Sequence, residues 1–441
     1  MMERPHKMAA GFESSASLPL STNNHKFNRH GRRCRPCGTA SLGGCMMSDA
    51  LVQVVPSRAA TAQSVSLILP VILPVMAAVL VAPVIPDISR AFAADPNAGL
   101  LVPVAITIPA LMLALFSPLA GWLADRFGRK RLLVAALLVY AACGVAPIWL
   151  DHLPAIILAR ALLGICEAAV MTCSTTLICD HNQGRERERW LAMQSVVASL
   201  SAIPLIAVGG LLGEQGWRTP FAIYGLAAFL APVILFLVEE APKELHKTVE
   251  TASAIPWRRF ATVSLLVLTA SLLFYIVPIQ MGFLLAIQGI ASPQMIGLAT
   301  ATGSLAIPVG ALLFRRLSRK STPLMAALAF AGMGLGLLAM AMAGDFPSIV
   351  AGAVLHGFGW GIALPLLLTV AMAELPFDLR GRGTGLFMGA VFIGQFLSPL
   401  VVAAVEHASG GLVRAIGIFA LCGLLLAVTA TLTLRGTQTG R

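Results

Sequence analysis

The chain has 441 residues, 57% of them hydrophobic and only 12% charged. A globular domain carries about 25% charged residues, so a water-facing surface is excluded for most of this chain. The formal net charge of +11 would suit a nucleic-acid partner, but the charges fall where a membrane topology puts them.

The segment 1–65 comes first and reads as a cytoplasmic N-terminal extension. Residues 1–45 are rich in Ser, Gly and Arg and lack hydrophobic periodicity, the composition of a disordered tail. Met46-Met47-Ser48 offers an alternative start, and the Arg-rich, acid-poor composition is also that of an organelle transit peptide. Cys34-Arg-Pro-Cys37 has CxxC spacing, with His25 and His30 nearby. A structural zinc needs four ligands on a foldable scaffold, and no second CxxC follows, so no metal is expected. Cys143, Cys166, Cys173, Cys179 and Cys422 fall in or beside apolar stretches and read as small hydrophobes.

Twelve apolar stretches follow, each near the roughly 20 residues that cross a bilayer core as a helix. The first six lie near Ser66–Ile85, Leu100–Ala120, Leu132–Leu150, Pro154–Ile178, Trp190–Leu212 and Pro220–Val238. The second six lie near Phe260–Ile287, Pro293–Phe314, Pro323–Ala343, Pro347–Ala373, Gly383–Val405 and Leu412–Leu434. Hydrocarbon offers the backbone no hydrogen bonds, so a spanning segment is a helix or part of a closed barrel. These runs are continuous, without the short alternating strands of a barrel, and predict an all-α membrane protein. The polar break Glu239–Trp257 divides it into two six-helix bundles, 66–238 and 260–436, joined by a cytoplasmic linker over 239–259. Of the 31 Lys and Arg, all but Arg90, Arg160, Arg218 and Arg414 fall in the first segment, in every second loop or at the C-terminus. That asymmetry predicts both termini in the cytoplasm.

After the second stretch stands Gly121-Trp-Leu-Ala-Asp125-Arg126-Phe-Gly128-Arg129-Lys130-Arg131. It resembles the GxxxDRxGRK signature of the major facilitator superfamily at every defining position and in the expected loop. The resemblance covers roughly residues 66–436 and implies two bundles around a central cavity. Gly121 lets a neighbouring helix approach, and Asp125 can face the positive N-terminus of the eleventh helix. The resemblance also pairs Arg129 with an acid ending the fourth helix, where Asp180 stands. Gly121, Asp125, Arg126, Gly128, Arg129 and Asp180 then form a conformational latch between the halves. A second copy after the eighth stretch is imperfect, with Phe314 in place of the acid and Ser318-Arg319-Lys320 displaced.

The fourth stretch carries Arg160-Ala-Leu-Leu-Gly164-Ile-Cys-Glu167-Ala168, similar to the family's RxxxGxxxA element, which the resemblance links to proton transfer. Leu163 stands where a Gln often precedes the Gly. In the fifth stretch Pro204 precedes Gly209-Gly210 by two residues more than the GPxxGG-like element of drug antiporters. A Gly-Ile-x-Glu-Ala run such as Gly164–Ala168 also occurs among organic-anion members.

Arg160 and Glu167 are the two full charges well inside a span, where a charge costs about 2.5–3.5 kcal/mol. Seven residues apart, they share a helix face at about 10.5 Å of rise. Glu167 near mid-membrane suits a group that binds and releases protons. Arg160 either contributes to that chemistry or reaches the outer surface by snorkelling. His356 in the tenth stretch sits at comparable depth, and Gln280, Gln395, Tyr275 and Trp360 are further cavity candidates, with Gln194, Tyr140 and Tyr224 behind them.

No GxSxG elbow, HExxH or P-loop is present, so neither an enzyme nor direct ATP drive is expected, and no cofactor. The reading is a monomeric secondary transporter in a bacterial inner membrane, working by alternating access on a small-molecule substrate. Proton-coupled export of a drug-like or amphipathic compound fits best. Proton-coupled uptake or exchange of an organic anion is the alternative, with Arg160 as counter-charge. A non-transporting membrane sensor is the remote one.

Overall fold

The computed structural model describes residues 58–240, 257–317, 321–373, 375 and 380–433. Among them are twelve helices long and apolar enough to cross a membrane. They are α1 (Thr61–Ala91), α2 (Ala98–Phe127), α3 (Arg129–Ile148), α4 (Leu153–His181), α5 (Gly184–Gly213) and α6 (Thr219–Leu237). The second set is α7 (Phe260–Ile287), α8 (Pro293–Arg316), α9 (Thr322–Met342), α10 (Phe346–Ala373), α11 (Gly383–Ser409) and α12 (Leu412–Thr433). No strand occurs among the described residues, and the chain is an all-α, multi-pass membrane protein.

Several helices outrun the apolar cores that reveal them. Helix α5 begins at Gly184, not Trp190, and takes in Arg185, Arg187 and Arg189; α2 runs on to Phe127. Helical hydrogen bonding continues past the hydrocarbon until a local breaker stops it. Between α2 and α3 the breaker is one residue, Gly128, whose φ of +96° lies in the region that favours glycine. A Cβ there would also meet Glu240 Oε1 at 2.9 Å. At α9, Ser321 Oγ accepts from the Leu324 N–H at 3.3 Å and Pro323 opens the first turn.

One apolar core is drawn from α1–α6 and another from α7–α12, giving two six-helix bundles; Ile279 of α7 joins the first core across the seam. Lipid supplies little hydrophobic drive between helices, so small residues let backbones approach. Gly164 of α4 lies so near α2 that an added Cβ would meet Pro109 Cα and O at 2.5 Å. Outward-facing side chains are apolar, with Leu115, Trp149, Phe229 and Phe236 all exposed, as a lipid-facing surface requires. Arg126–Arg131 and Arg185–Arg189 mark what is called here the basic end of the helices; the opposite end is the far end.

Cys34, Cys37, His25, His30 and Met46 lie outside the described residues, as do most of the expected linker and Ser318-Arg319-Lys320.

Candidate functional site

Helix breaks in α1 and α2 create the acceptors around which the buried charge is organised. Pro109 has no N–H, so the carbonyl of Ala105, four residues earlier, lacks its helical partner. Arg160 Nε donates to that oxygen at 3.2 Å. In α1 the regular helix stops at Val79, which leaves the Ala77 carbonyl among the terminal acceptors. Arg160 Nη2 donates to it at 2.7 Å and approaches the Ile106 carbonyl at 3.5 Å. Nη1 donates to Tyr224 Oη at 2.9 Å, and the guanidinium carbon lies 5.4 Å from the Tyr224 ring centroid. Tyr140 donates to the Leu73 carbonyl at 2.8 Å, its ring 5.9 Å from that of Tyr224. Arg160 is fully buried, so it does not snorkel. It is a strut joining α4 to α1, α2 and α6.

Two turns further along α4, Glu167 is only 2% exposed, and its Oε1 has no hydrogen-bond partner. It lines a cavity of about 10 Å³, close to the room one water needs. Its walls include Pro74 and Ala77 of α1, Ile106 and Pro109 of α2, and Phe392 and Gln395 of α11. The carboxyl therefore sits at the seam between bundles, within electrostatic range of Arg160 and of Tyr275 in α7. Gln395 shares this cavity; Gln280 is buried in α7 but does not line it. Gln194 pairs with Thr175 instead, its Nε2 donating at 3.3 Å.

The second bundle repeats the proline device. Pro278 in α7 deprives the Phe274 carbonyl of its partner, and His356 Nε2 of α10 faces that oxygen at 3.4 Å. His356 Nδ1 faces the Met333 carbonyl of α9 at 3.0 Å. The imidazole stacks on Phe274 with centroids 6.2 Å apart, and Phe274 stacks on Trp360 at 4.6 Å. Tyr275 meets Phe274 edge-on at 5.1 Å. His356, Tyr275 and Trp360 thus share one aromatic group around Phe274.

At the basic end, Arg129 Nη2 donates to Asp125 Oδ1 at 3.0 Å and Nη1 to Asp180 Oδ2. A Cβ on Gly121 would meet Thr172 of α4 at 3.9 Å. Asp125 is 70% exposed and engages Arg129. Arg126 takes no part in this network: its guanidinium lies over Trp122 and Phe127, 5.4 and 5.9 Å from their centroids. Nearby on α11, a Cβ at Gly385 or Gly389 would meet nothing within 4 Å.

The far end is closed. A Cβ on Gly210 of α5 would meet Pro293 O at 2.7 Å and Gly297 Cα of α8 at 3.2 Å, and one on Gly282 of α7 would meet Pro86 Cγ of α1 at 2.6 Å. Glu214, just after α5, accepts from Ser292 Oγ at 2.5 Å and from the Gln294 N–H at 3.1 Å, so one bundle caps a helix of the other. The Ser292 bond, then the Gln294 N–H, holds this carboxyl below the ordinary Glu range.

The model described as Major Facilitator Superfamily matches residues 67–399. The chain belongs to the major facilitator superfamily. It is 27% identical to the tetracycline resistance protein, class C, of Escherichia coli, over 75% of this chain and 86% of that protein. It is 23% identical to the quinolone resistance protein NorA of Staphylococcus aureus, over 72% and 84%. A crystal structure of a D-xylose–proton symporter superposes with a TM-score of 0.71 at 16% identity, over 84% of this chain and 97% of that one. A bacterial homologue of the human lysosomal transporter Spinster, inward-facing and occupied, gives 0.69 at 16%, over 85% and 96%. Both structures share the major facilitator fold, and family and fold point to a transporter, not an enzyme.

Within this family frame, Glu214, Ser292 and Gln294 escaped the sequence reading. A lone Glu after an apolar run carries no signal until the facing helix is known. Ser271 and Ser398 escaped likewise; they tie α7 and α11 through the carbonyls of Val391 and Leu272 at 2.7 and 2.9 Å.

Proposed function

We propose that this major facilitator protein exports a drug-like or amphipathic compound in exchange for protons, with Glu167 as the proton-binding group. The observation that carries the reading is the buried, unpartnered Oε1 of Glu167 in a water-sized cavity walled by both bundles. A carboxyl with no acceptor-satisfying partner is stable when protonated and is costly to ionise until water or a counter-charge reaches it. Alternation of the bundles supplies that change of surroundings. The drug-resistance names of two relatives support the substrate class. The positive loops support an inner membrane with both termini in the cytoplasm. The basic-end network of Asp125, Arg129 and Asp180 joins α2, α3 and α4 of the first bundle, and forms the half of a latch that α11 would complete when the cytoplasmic side closes.

Uptake or exchange of an organic anion is disfavoured by Arg160, whose N–H groups are committed to carbonyls and to Tyr224. No free cation is left at that depth of α4 to receive an anionic solute.

The deciding experiment is transport by Glu167→Gln in proteoliposomes. The expected result is loss of substrate movement driven by an imposed pH gradient, with substrate–substrate exchange at zero gradient retained. Gradient-driven transport at the parental rate would sink the proton role.

A further inference from the structure

Away from the seam, α2, α3 and α4 enclose a second cavity, of about 210 Å³. It is larger than the roughly 150 Å³ that holds a benzene ring in a protein core. Every side chain lining it is apolar, among them Leu119 and Leu123 of α2, Leu132, Ala135 and Val139 of α3, and Cys166 of α4. Leu119 and Val139 are exposed, so the cavity is a groove open on the lipid-facing side. It plays no part in the Glu167 site.

The groove has a charged mouth. Arg126 follows Leu119 by seven residues and Leu123 by three, and Arg131 precedes Ala135 by four. Those spacings put both guanidiniums on the groove's own helix faces, at the basic end. Both are exposed, and among the described residues neither is in an ion pair. Arg126 is held over Trp122 and Phe127, aromatic side chains of the kind that settle at headgroup depth. Arg129 bonds both neighbouring carboxylates, Asp125 and Asp180, and offsets one of their two charges, while Glu240 accepts from the Lys130 N–H; Arg126, Lys130 and Arg131 exceed the two negative charges left. What remains is unbalanced positive charge above an apolar slot running into the same leaflet.

We propose that this is a binding site for an anionic phospholipid of the leaflet at the basic end. Its phosphate lies between Arg126 and Arg131 and one acyl chain fills the α2–α3–α4 groove. Two unpaired basic side chains recognise the headgroup's charge, and the apolar slot recognises the chain; neither alone explains both features.

The test uses the purified full chain and native mass spectrometry, titrated with a phosphatidylglycerol, with a phosphatidylcholine of the same acyl chains, and with glycerophosphoglycerol, which lacks chains. Phosphatidylglycerol is expected to bind in preference to phosphatidylcholine. The R126Q/R131Q variant should lose about thirtyfold in phosphatidylglycerol affinity, two basic side chains' worth at a membrane surface, and leave phosphatidylcholine unchanged. Ala135→Phe, an exposed position whose ring would fill the groove, should weaken phosphatidylglycerol with both arginines intact. Equal binding of the two lipids, or unaltered phosphatidylglycerol binding by R126Q/R131Q, would overturn the proposal. Binding of glycerophosphoglycerol as tight as that of the intact lipid would overturn it too, by making the site one for a free phosphate ester.

Discussion

Replacing Arg160 separates a strut from a transport residue. Arg160→Met keeps the volume and removes three donors, the bonds of 2.7, 2.9 and 3.2 Å to Ala77 O, Tyr224 Oη and Ala105 O. Charge-assisted bonds contribute about 1.5–3 kcal/mol each in soluble proteins, whereas interhelical bonds in membranes average about 0.6 kcal/mol. Two of these acceptors are carbonyls with no helical partner, so the loss should exceed the membrane average. Removing a buried cation also relieves its desolvation, which offsets part of that loss. The expected net destabilisation is about 2–4 kcal/mol. Arg160→Lys should be no better, because an ammonium keeps the buried charge but cannot reach three acceptors lying in different directions. Unfolding in bicelles by steric trapping reads these differences directly. A Met variant within about 0.5 kcal/mol of the parent would refute the reasoning, as would full rescue by Lys.

Three further outcomes follow from the two ends of the molecule. Glu214→Ala should open the far end, lengthening a spin-label distance between the ends of α5 and α8. Because the closed-state pKa of Glu214 is depressed, its contribution to closure is complete above the ordinary value of 4.5 and is lost as pH falls through the depressed one. The parental distance should therefore stay short at neutral pH and lengthen only in strong acid; lengthening between pH 8 and 6 would contradict this. Gly210→Val, whose side chain would collide with Pro293 O, should cut turnover at least about tenfold by blocking far-end closure, while Gly389→Ala, with open space around it, leaves thermal stability unchanged. Asp125→Asn should slow turnover with little loss of expression, and an unchanged rate would remove Asp125 from the latch.

The fold was legible because bilayer physics writes itself into composition. Twelve apolar runs and one-sided loop charges leave few alternatives. Span ends were less so: the stop at Gly128 depends on one left-handed residue, and the start of α5 lies inside a run of charges. At the site, Arg160 and Glu167 stood out as buried charges, but which of the two is bonded and which is not depends on the neighbouring helices. A sequence shows that Pro109 frees the carbonyl of Ala105; it does not show that Arg160, fifty-five positions later, is the side chain that reaches it. The Phe274–His356–Trp360 stack was hidden for the same reason, since its members come from two helices far apart in the chain.

Pro109 and Arg160 also bind each other's evolutionary fate. An alanine at 109 would restore a backbone N–H to the Ala105 carbonyl and leave the guanidinium competing for an occupied acceptor. A lineage that loses the arginine gains by losing the proline next, and one that loses the proline first weakens its hold on the arginine. The two positions should drift as a pair, so that Pro109→Ala acts as a second-site suppressor of Arg160→Met while being harmful by itself.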